Sequence, residues 1–188
     1  MKRSVTTISA ALVAALGLAV TGQGLWIKGK AVVAQLLLER AFSQSVLSGQ
    51  PVKPWAWADT WPVARLEVTR LGVSAIVLES GSGQALAFGP GHVAGTPAAG
   101  ERGTAVYAAH RDTHFRFLGD LKPGDQISVT RADGVRFTYH VTGAQVVRAQ
   151  QSGIDAHAPG FHLALASCWP LDGLTHGPLR YVVSARMD

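Results

Sequence analysis

Eight short segments with the composition of β-strands fill the chain from residue 62 onward, and they constrain its fold more than any other feature. They are rich in β-branched and aromatic residues, and Gly-, Pro- and Asp-containing turns separate them. Only residues 84–88 offer a helical turn between strands. Many short strands with little helix close into a barrel or a sandwich, so a mainly β domain is predicted. The eight segments are 63–68, 73–79, 104–110, 126–131, 135–141, 144–148, 161–167 and 179–186.

A glycine-rich stretch at 88–97 resembles a phosphate-binding loop in composition only. Such a loop needs a strand before it and the N-terminus of a helix after it. Thr96-Pro97 and Gly100 follow here, and no helix begins. We therefore predict an irregular loop over one end of the β domain.

The N-terminal segment 1–28 is apolar, and no charged residue lies between Arg3 and Lys28. This length and composition favour an uncleaved signal anchor that crosses a membrane as a helix. The alternative is a signal peptide that is cleaved near residues 19–22. Charges flank the segment on both sides, so the positive-inside rule does not orient it. Its export-signal layout favours a single-pass protein of the inner (cytoplasmic) membrane, with the β domain on the extracytoplasmic side.

A second helical pattern follows at 31–47, where Val32, Leu36, Phe42 and Val46 are predicted to share one face. Gly and Pro residues at 49–54 end this helix and form a linker. The predicted organisation is a transmembrane helix at 1–28, a juxtamembrane amphipathic helix with its linker at 29–54, and the β domain at 55–188.

Charge argues against a nucleic-acid partner. The 188-residue chain has a formal net charge of +5, but its basic residues are scattered along the sequence. It contains neither a run of Lys and Arg nor a stripe of interleaved aromatic residues, which are the patterns typical of nucleic-acid binding.

Cys168 is the only cysteine, so it cannot form an internal disulfide. It lies where a predicted strand ends, before a Trp-Pro turn. A thiolate is a strong nucleophile when a base is close to it. The alternative is a small buried hydrophobic side chain, which is the common role of an isolated cysteine.

His110 ends another apolar strand, at a point where the sequence turns polar. Histidine suits general acid–base chemistry near neutral pH. His110 and His114 have the spacing of two metal ligands on a helix, but no helix is predicted there, so we expect no metal site.

Arg180 begins the last predicted strand, and Cys168 ends the strand before it. If these strands are antiparallel neighbours, the two residues lie side by side. An arginine there can stabilise an oxyanion or hold a substrate carbonyl, whereas the alternative is a surface charge at a strand end. His176 lies between them in sequence and is a weaker candidate for substrate contact.

At these positions the chain resembles the sortases, which are membrane-anchored cysteine transpeptidases. The matching segments are A-A-H-R-D at 108–112, A-L-A-S-C at 164–168 and L-R-Y at 179–181. The segments at 55–62 and 177–183 resemble the class found in Gram-negative proteobacteria, called class GN. Two positions depart from the usual T-L-x-T-C motif. Ala164 lacks the first hydroxyl, whereas Ser167 keeps the second.

The resemblance implies a closed eight-stranded β-barrel and catalysis by His110, Cys168 and Arg180. In that mechanism Cys168 attacks a carbonyl in the C-terminal, LPxTG-like sorting signal of an exported protein. His110 protonates the leaving amine, Arg180 stabilises the oxyanion, and an acceptor amine of unknown identity then takes the acyl group. No cofactor is implied. The calcium site of some sortases needs clustered carboxylates, and residues 150–160 offer only Asp155.

Two alternative functions remain compatible with the sequence. A cysteine hydrolase would form the same thioester and resolve it with water. A non-catalytic, membrane-tethered barrel would bind a peptide without reacting with it.

Overall fold

The computed structural model describes residues 2–79, 83–173 and 177–187, with side chains described for 15–26 and from Lys28 onward. The chain divides into two compact units, Met1–Leu36 and Leu37–Asp188. His176, the weaker candidate for substrate contact, lies outside the described residues.

Helix α1 spans Lys2–Ser48. Within the described part of the chain, no helix is long and apolar enough to cross a membrane. The transmembrane helix predicted at 1–28 is therefore not supported. Gly17, Thr21 and Gln23 interrupt the apolar side chains described between residues 15 and 26, and the side chains of 2–14 lie outside the description.

The last turns of α1 belong to the second unit, where they pack on the β domain. Leu38 and Phe42 are buried with Ile76 and Leu78, and Val46 packs against this cluster. The buried positions 38, 41, 42 and 45 form one stripe at helical spacing. Phe42 and Val46, two of the four residues predicted to share one face, lie on this buried side. Val32 and Leu36 belong to the first unit, and for them the amphipathic face stays a prediction.

The β domain is a closed eight-stranded barrel with the strand order β1-β2-β3-β4-β7-β8-β6-β5. Most neighbours are antiparallel, but β2 pairs with β3 and β4 with β7 in parallel. Short 3-10 helices span Thr69–Leu71, Ala85–Ala87 and Arg116–Asp120. The strands are β1 (Pro62–Val68), β2 (Val73–Glu79), β3 (Gly91–His92), β4 (Gly103–Ala108), β5 (Gln126–Arg131), β6 (Arg136–Arg148), β7 (Phe161–Cys168) and β8 (Leu179–Arg186).

Two features of the barrel differ from the sequence prediction. The segments 135–141 and 144–148 form one strand, β6, because a bulge between Val141 and Gly143 shifts its register against β8 without ending the pairing. The glycine-rich stretch at 88–97 contains β3, a two-residue strand that bridges β2 and β4 and so closes the barrel. The helical turn predicted at 84–88 is confirmed.

Side chains alternate between the two surfaces of the barrel wall. The interior is filled by the main core, which includes Tyr107, Tyr139 and Leu165. A smaller apolar cluster of Val106, Ala164 and Val182 involves the alternate residues of β4, β7 and β8. Cys168 and Arg180 follow the periodicity of this smaller cluster, so they face away from the main core.

Candidate active site

Cys168 and Arg180 are cross-strand partners. Strand β7 ends at Cys168, whose Cα pairs with that of Arg180 near the start of β8. The backbone N–H of Trp169 donates to the carbonyl of Leu179 at 3.1 Å, so the pairing continues past Cys168. The condition on which the sequence argument depended, that β7 and β8 are antiparallel neighbours, is met.

His110 reaches the same rim through the parallel pairing of β4 with β7. Strand β4 ends at Ala108, which pairs with Ala166, and the N–H of Ala109 donates to the carbonyl of Ala166 at 3.2 Å. His110 follows directly and is exposed, whereas Cys168 is partly buried. The sequence predicted that His110 is the last residue of the strand. In the structure His110 lies two residues beyond β4, because the ladder to β7 stops at Ala109.

One cavity of about 330 Å³ is lined by all three of these side chains. Its other walls are mostly small or aliphatic, with Ala166 and Val182 from β7 and β8 and Leu86 and Ile154 from the flanking loops. A cavity with such walls suits an apolar side chain beside the thiol of Cys168. The full lining is Leu86, Ala108, Ala109, His110, Ala149, Ser152, Ile154, Ala166, Ser167, Cys168, Arg180 and Val182.

The Arg180 guanidinium is held by its own loop. Its Nη1 donates to the carbonyls of Gly177 at 3.0 Å and Leu179 at 2.8 Å. A guanidinium carries five N–H donors, and both of these bonds begin at one nitrogen. The same side chain can therefore bind a substrate oxygen beside Cys168.

His114 is a second imidazole on the His110 loop, and burial lowers its pKa below the ordinary value. A hydrogen bond with the Ala87 backbone acts in the opposite direction, and the nearby His110 lowers the pKa further. These effects favour a neutral His114. Among the described residues, no group of three or more His, Cys, Asp or Glu side chains is placed to hold a metal ion.

Two further residues join the segments that carry His110 and Cys168, and sequence reasoning gave them no such role. Ser167 donates its buried hydroxyl to the carbonyl of Ala109 at 2.8 Å. The buried Arg111 donates to the carbonyl of Pro170 at 2.8 Å. Their positions next to His110 and Cys168 were visible in the sequence, but their partners depend on the parallel pairing of β4 with β7.

The ring of Trp169, which follows the candidate nucleophile, stacks on the ring of Tyr181. The ring centroids are 5.5 Å apart and the planes are inclined by 21°. Tyr181 packs against the main core, so this stack connects the residue next to Cys168 to the barrel interior.

Comparison with known proteins gives one family. The sortase domain matches residues 66–188. Sortase D of Bacillus subtilis strain 168 is 29% identical over 119 residues, which cover 63% of this chain and 60% of that protein's length.

Solved structures share the fold. A sortase D5 transpeptidase from Clostridium perfringens has a TM-score of 0.65 and 20% identity, over 84% of this chain and 99% of that one. Sortase A from Corynebacterium diphtheriae has a TM-score of 0.63 and 23% identity, over 70% and 63%. The T196V mutant of sortase E from Streptomyces avermitilis has a TM-score of 0.57 and 30% identity, over 68% and 87%.

Proposed function

The chain belongs to the sortase family, and on that premise we propose that it is a cysteine transpeptidase that forms a thioester on Cys168. The observation that carries the proposal is the common cavity, which brings a thiol, an imidazole and a guanidinium from three separate segments to one rim. A nucleophile, a general acid–base group and an oxyanion-stabilising cation are the groups that acyl transfer uses, which supports the proposal.

The proposed reaction has two halves. Cys168 Sγ gives its proton to His110 and attacks the carbonyl carbon of a peptide bond, and Arg180 stabilises the negative oxygen that develops. The C–N bond breaks, the leaving amine takes a proton from His110, and the acyl group stays on sulfur as a thioester. An acceptor amine then attacks the same carbon, His110 takes its proton, and the Cys168 sulfur leaves.

The substrate we propose is an exported protein with an LPxTG-like C-terminal sorting signal. The apolar walls formed by Leu86, Ile154 and Val182 favour an aliphatic side chain near the bond that is cleaved. The acceptor is an amine, since an amine restores a peptide bond whereas water would only hydrolyse the thioester.

We also propose a class and a location for the protein. The tryptophan-rich segment at 55–62 and the segment at 177–183 favour the class GN sortases of Gram-negative proteobacteria. The export-signal pattern at the N-terminus favours action at the extracytoplasmic side of the inner membrane. Fractionation of cells that produce the full chain, with protease added to spheroplasts, tests the location. Protection of the β domain from external protease would contradict it.

Intact mass spectrometry on the full-length protein tests the chemistry. The wild-type protein is incubated with an LPxTG-like peptide, with and without a glycine-based amine, beside Cys168→Ala, His110→Ala and Arg180→Ala. We expect an adduct on the wild-type protein with the mass of the N-terminal peptide fragment, and no adduct on Cys168→Ala. The amine should discharge this adduct into a new peptide bond.

Other outcomes would favour the two alternative functions. An adduct discharged by water alone, at a rate that the amine does not change, would indicate a hydrolase. Binding of the peptide without an adduct, while Cys168 still reacts with an alkylating reagent, would indicate a non-catalytic barrel.

A further inference from the structure

We propose that Arg111 is a positioning residue that holds the His110 segment against the segment that follows Cys168. The proposal rests on the proposed function, because it assigns His110 and Cys168 to one reaction. It adds a residue that follows His110 in the chain and binds the segment beyond Cys168.

The contact joins two loops that are far apart in sequence. Arg111 follows His110 directly, and its Nη1 donates to the carbonyl of Pro170, two residues after Cys168, at 2.8 Å. The two residues are 59 positions apart in the chain. Arg111 is only 9% exposed, so its side chain extends into the protein and not into solvent. Burying a guanidinium costs free energy unless its N–H groups are hydrogen-bonded, so the bond to Pro170 stabilises this buried orientation.

A second contact lies on the other side of the catalytic pair. Ser167 is 2% exposed, and its hydroxyl donates to the carbonyl of Ala109 at 2.8 Å. The residue before Cys168 therefore binds the residue before His110, and the residue after His110 binds a residue just after Cys168. The catalytic side chains lie between two hydrogen bonds that connect their segments.

His110 needs this support because the β-ladder does not reach it. The pairing of β4 with β7 ends at Ala108 and Ala166, and its last bond is that of the Ala109 N–H. The His110 carbonyl accepts from the Phe115 N–H at 3.1 Å, which shapes the turn but does not connect it to β7. Arg111 supplies a connection to the Cys168 side. Small misplacements of a reacting group cost large factors in rate, so the connection matters for catalysis.

The test compares Arg111→Met, which keeps much of the apolar stem, with Arg111→Lys, which keeps the charge and a donor. Arg131→Met is the matched control. Arg131 also donates to a distant backbone carbonyl, that of Ala99 at 3.3 Å, but it lies on β5, and β8 and β6 separate β5 from β7. Each full-length variant is measured for peptide-transfer kinetics, for the rate of Cys168 alkylation by iodoacetamide across pH 5–9, and for Tm.

We expect Arg111→Met to lower kcat about tenfold or more with little change in KM. Its alkylation profile should move towards that of His110→Ala, because the imidazole no longer lies where it assists the thiol. Arg111→Lys should recover part of both, and Arg131→Met should change Tm alone.

Three results would overturn the proposal. The first is an Arg111→Met alkylation profile that overlays the wild-type profile while Tm falls, since this result would mean that Arg111 stabilises the fold without positioning the imidazole. The second is a change of equal size in Arg131→Met. The third is identical profiles for wild type and His110→Ala, since Arg111 would then have no imidazole to position. Alkylation needs no peptide substrate, so it tests the role of Arg111 even if the protein transfers no peptide.

Discussion

Ala166 is a small residue in the lining of the cavity, and enlarging it should change which substrates the protein accepts. In the sheet it lies between Ala108 on β4 and Val182 on β8, and all three residues line the cavity. Ala166→Leu adds three carbons to a space of about 330 Å³ whose lining also includes the thiol, the imidazole and the guanidinium. These carbons displace an equal portion of an aliphatic substrate side chain.

The magnitude follows from the burial that is lost. Three carbons at about 0.8 kcal/mol each give about 2.4 kcal/mol, which corresponds to a loss of about 50-fold in kcat/KM. A peptide with leucine at the apolar position should lose close to this factor. A peptide with alanine there has little to displace and should lose much less.

The assay measures kcat/KM for both peptides with the wild-type protein, Ala166→Leu and Ala144→Leu. Ala144 is exposed on β6 and serves as the control for an added leucine away from the cavity. Tm is measured for each variant, since overpacking alone costs about 1–3 kcal/mol of stability. An equal loss for both peptides, or no loss in a variant with wild-type Tm, would refute the assignment of this cavity to the substrate.

Two further predictions concern stability. Phe42 is 3% exposed where α1 packs on the barrel, so Phe42→Ala should lower the free energy of unfolding by about 3–5 kcal/mol. Denaturant unfolding measures this loss, with Leu47→Ala at an exposed site as the control. A loss equal to that of the control would contradict the packing. Asp125 accepts two hydrogen bonds from Arg70, which lower its pKa below the ordinary value. A lowered pKa adds stability above the unfolded value of about 4 that is lost as pH falls through the folded value. Asp125→Asn should therefore lower Tm at pH 7, and the Tm difference from the wild-type protein should shrink below about pH 4. A Tm difference that stays constant down to about pH 2 would show that the lowered pKa of Asp125 is not its cause.

Much of the fold was predictable because strand periodicity is a local signal. Seven strands fell close to the predicted segments, since alternating burial and turn residues mark them in the sequence. Strand β3 was missed because two residues carry no periodicity, and its pairing depends on β2 and β4. The bulge in β6 was predicted as a break between two strands, because a glycine such as Gly143 is frequent both in bulges and in turns. On α1, sequence could not say that Leu38 and Phe42 pack on the barrel, because that contact depends on Ile76 and Leu78, which are distant in the chain.

The candidate site shows the same limit at the level of side chains. The pairing of Cys168 with Arg180 could be derived, since consecutive antiparallel strands bring the end of one beside the start of the next. The placement of His110 required the parallel pairing of β4 with β7, which no local pattern specifies.

The contact of Arg111 with Pro170 also depends on the parallel pairing of β4 with β7. The pairing brings the loops after β4 and β7 to the same rim, and only then is the Pro170 carbonyl within reach of the guanidinium. In sequence Arg111 is one of many scattered cations, and although it follows His110, no local pattern shows that it is buried while Arg116 is exposed. Its burial is what distinguishes it, because a charge removed from water must serve as a bonded part of the structure. A buried cation next to a candidate catalytic residue is therefore a better guide to positioning residues than residue type, and the comparison of Arg111→Met with Arg131→Met tests that reasoning directly.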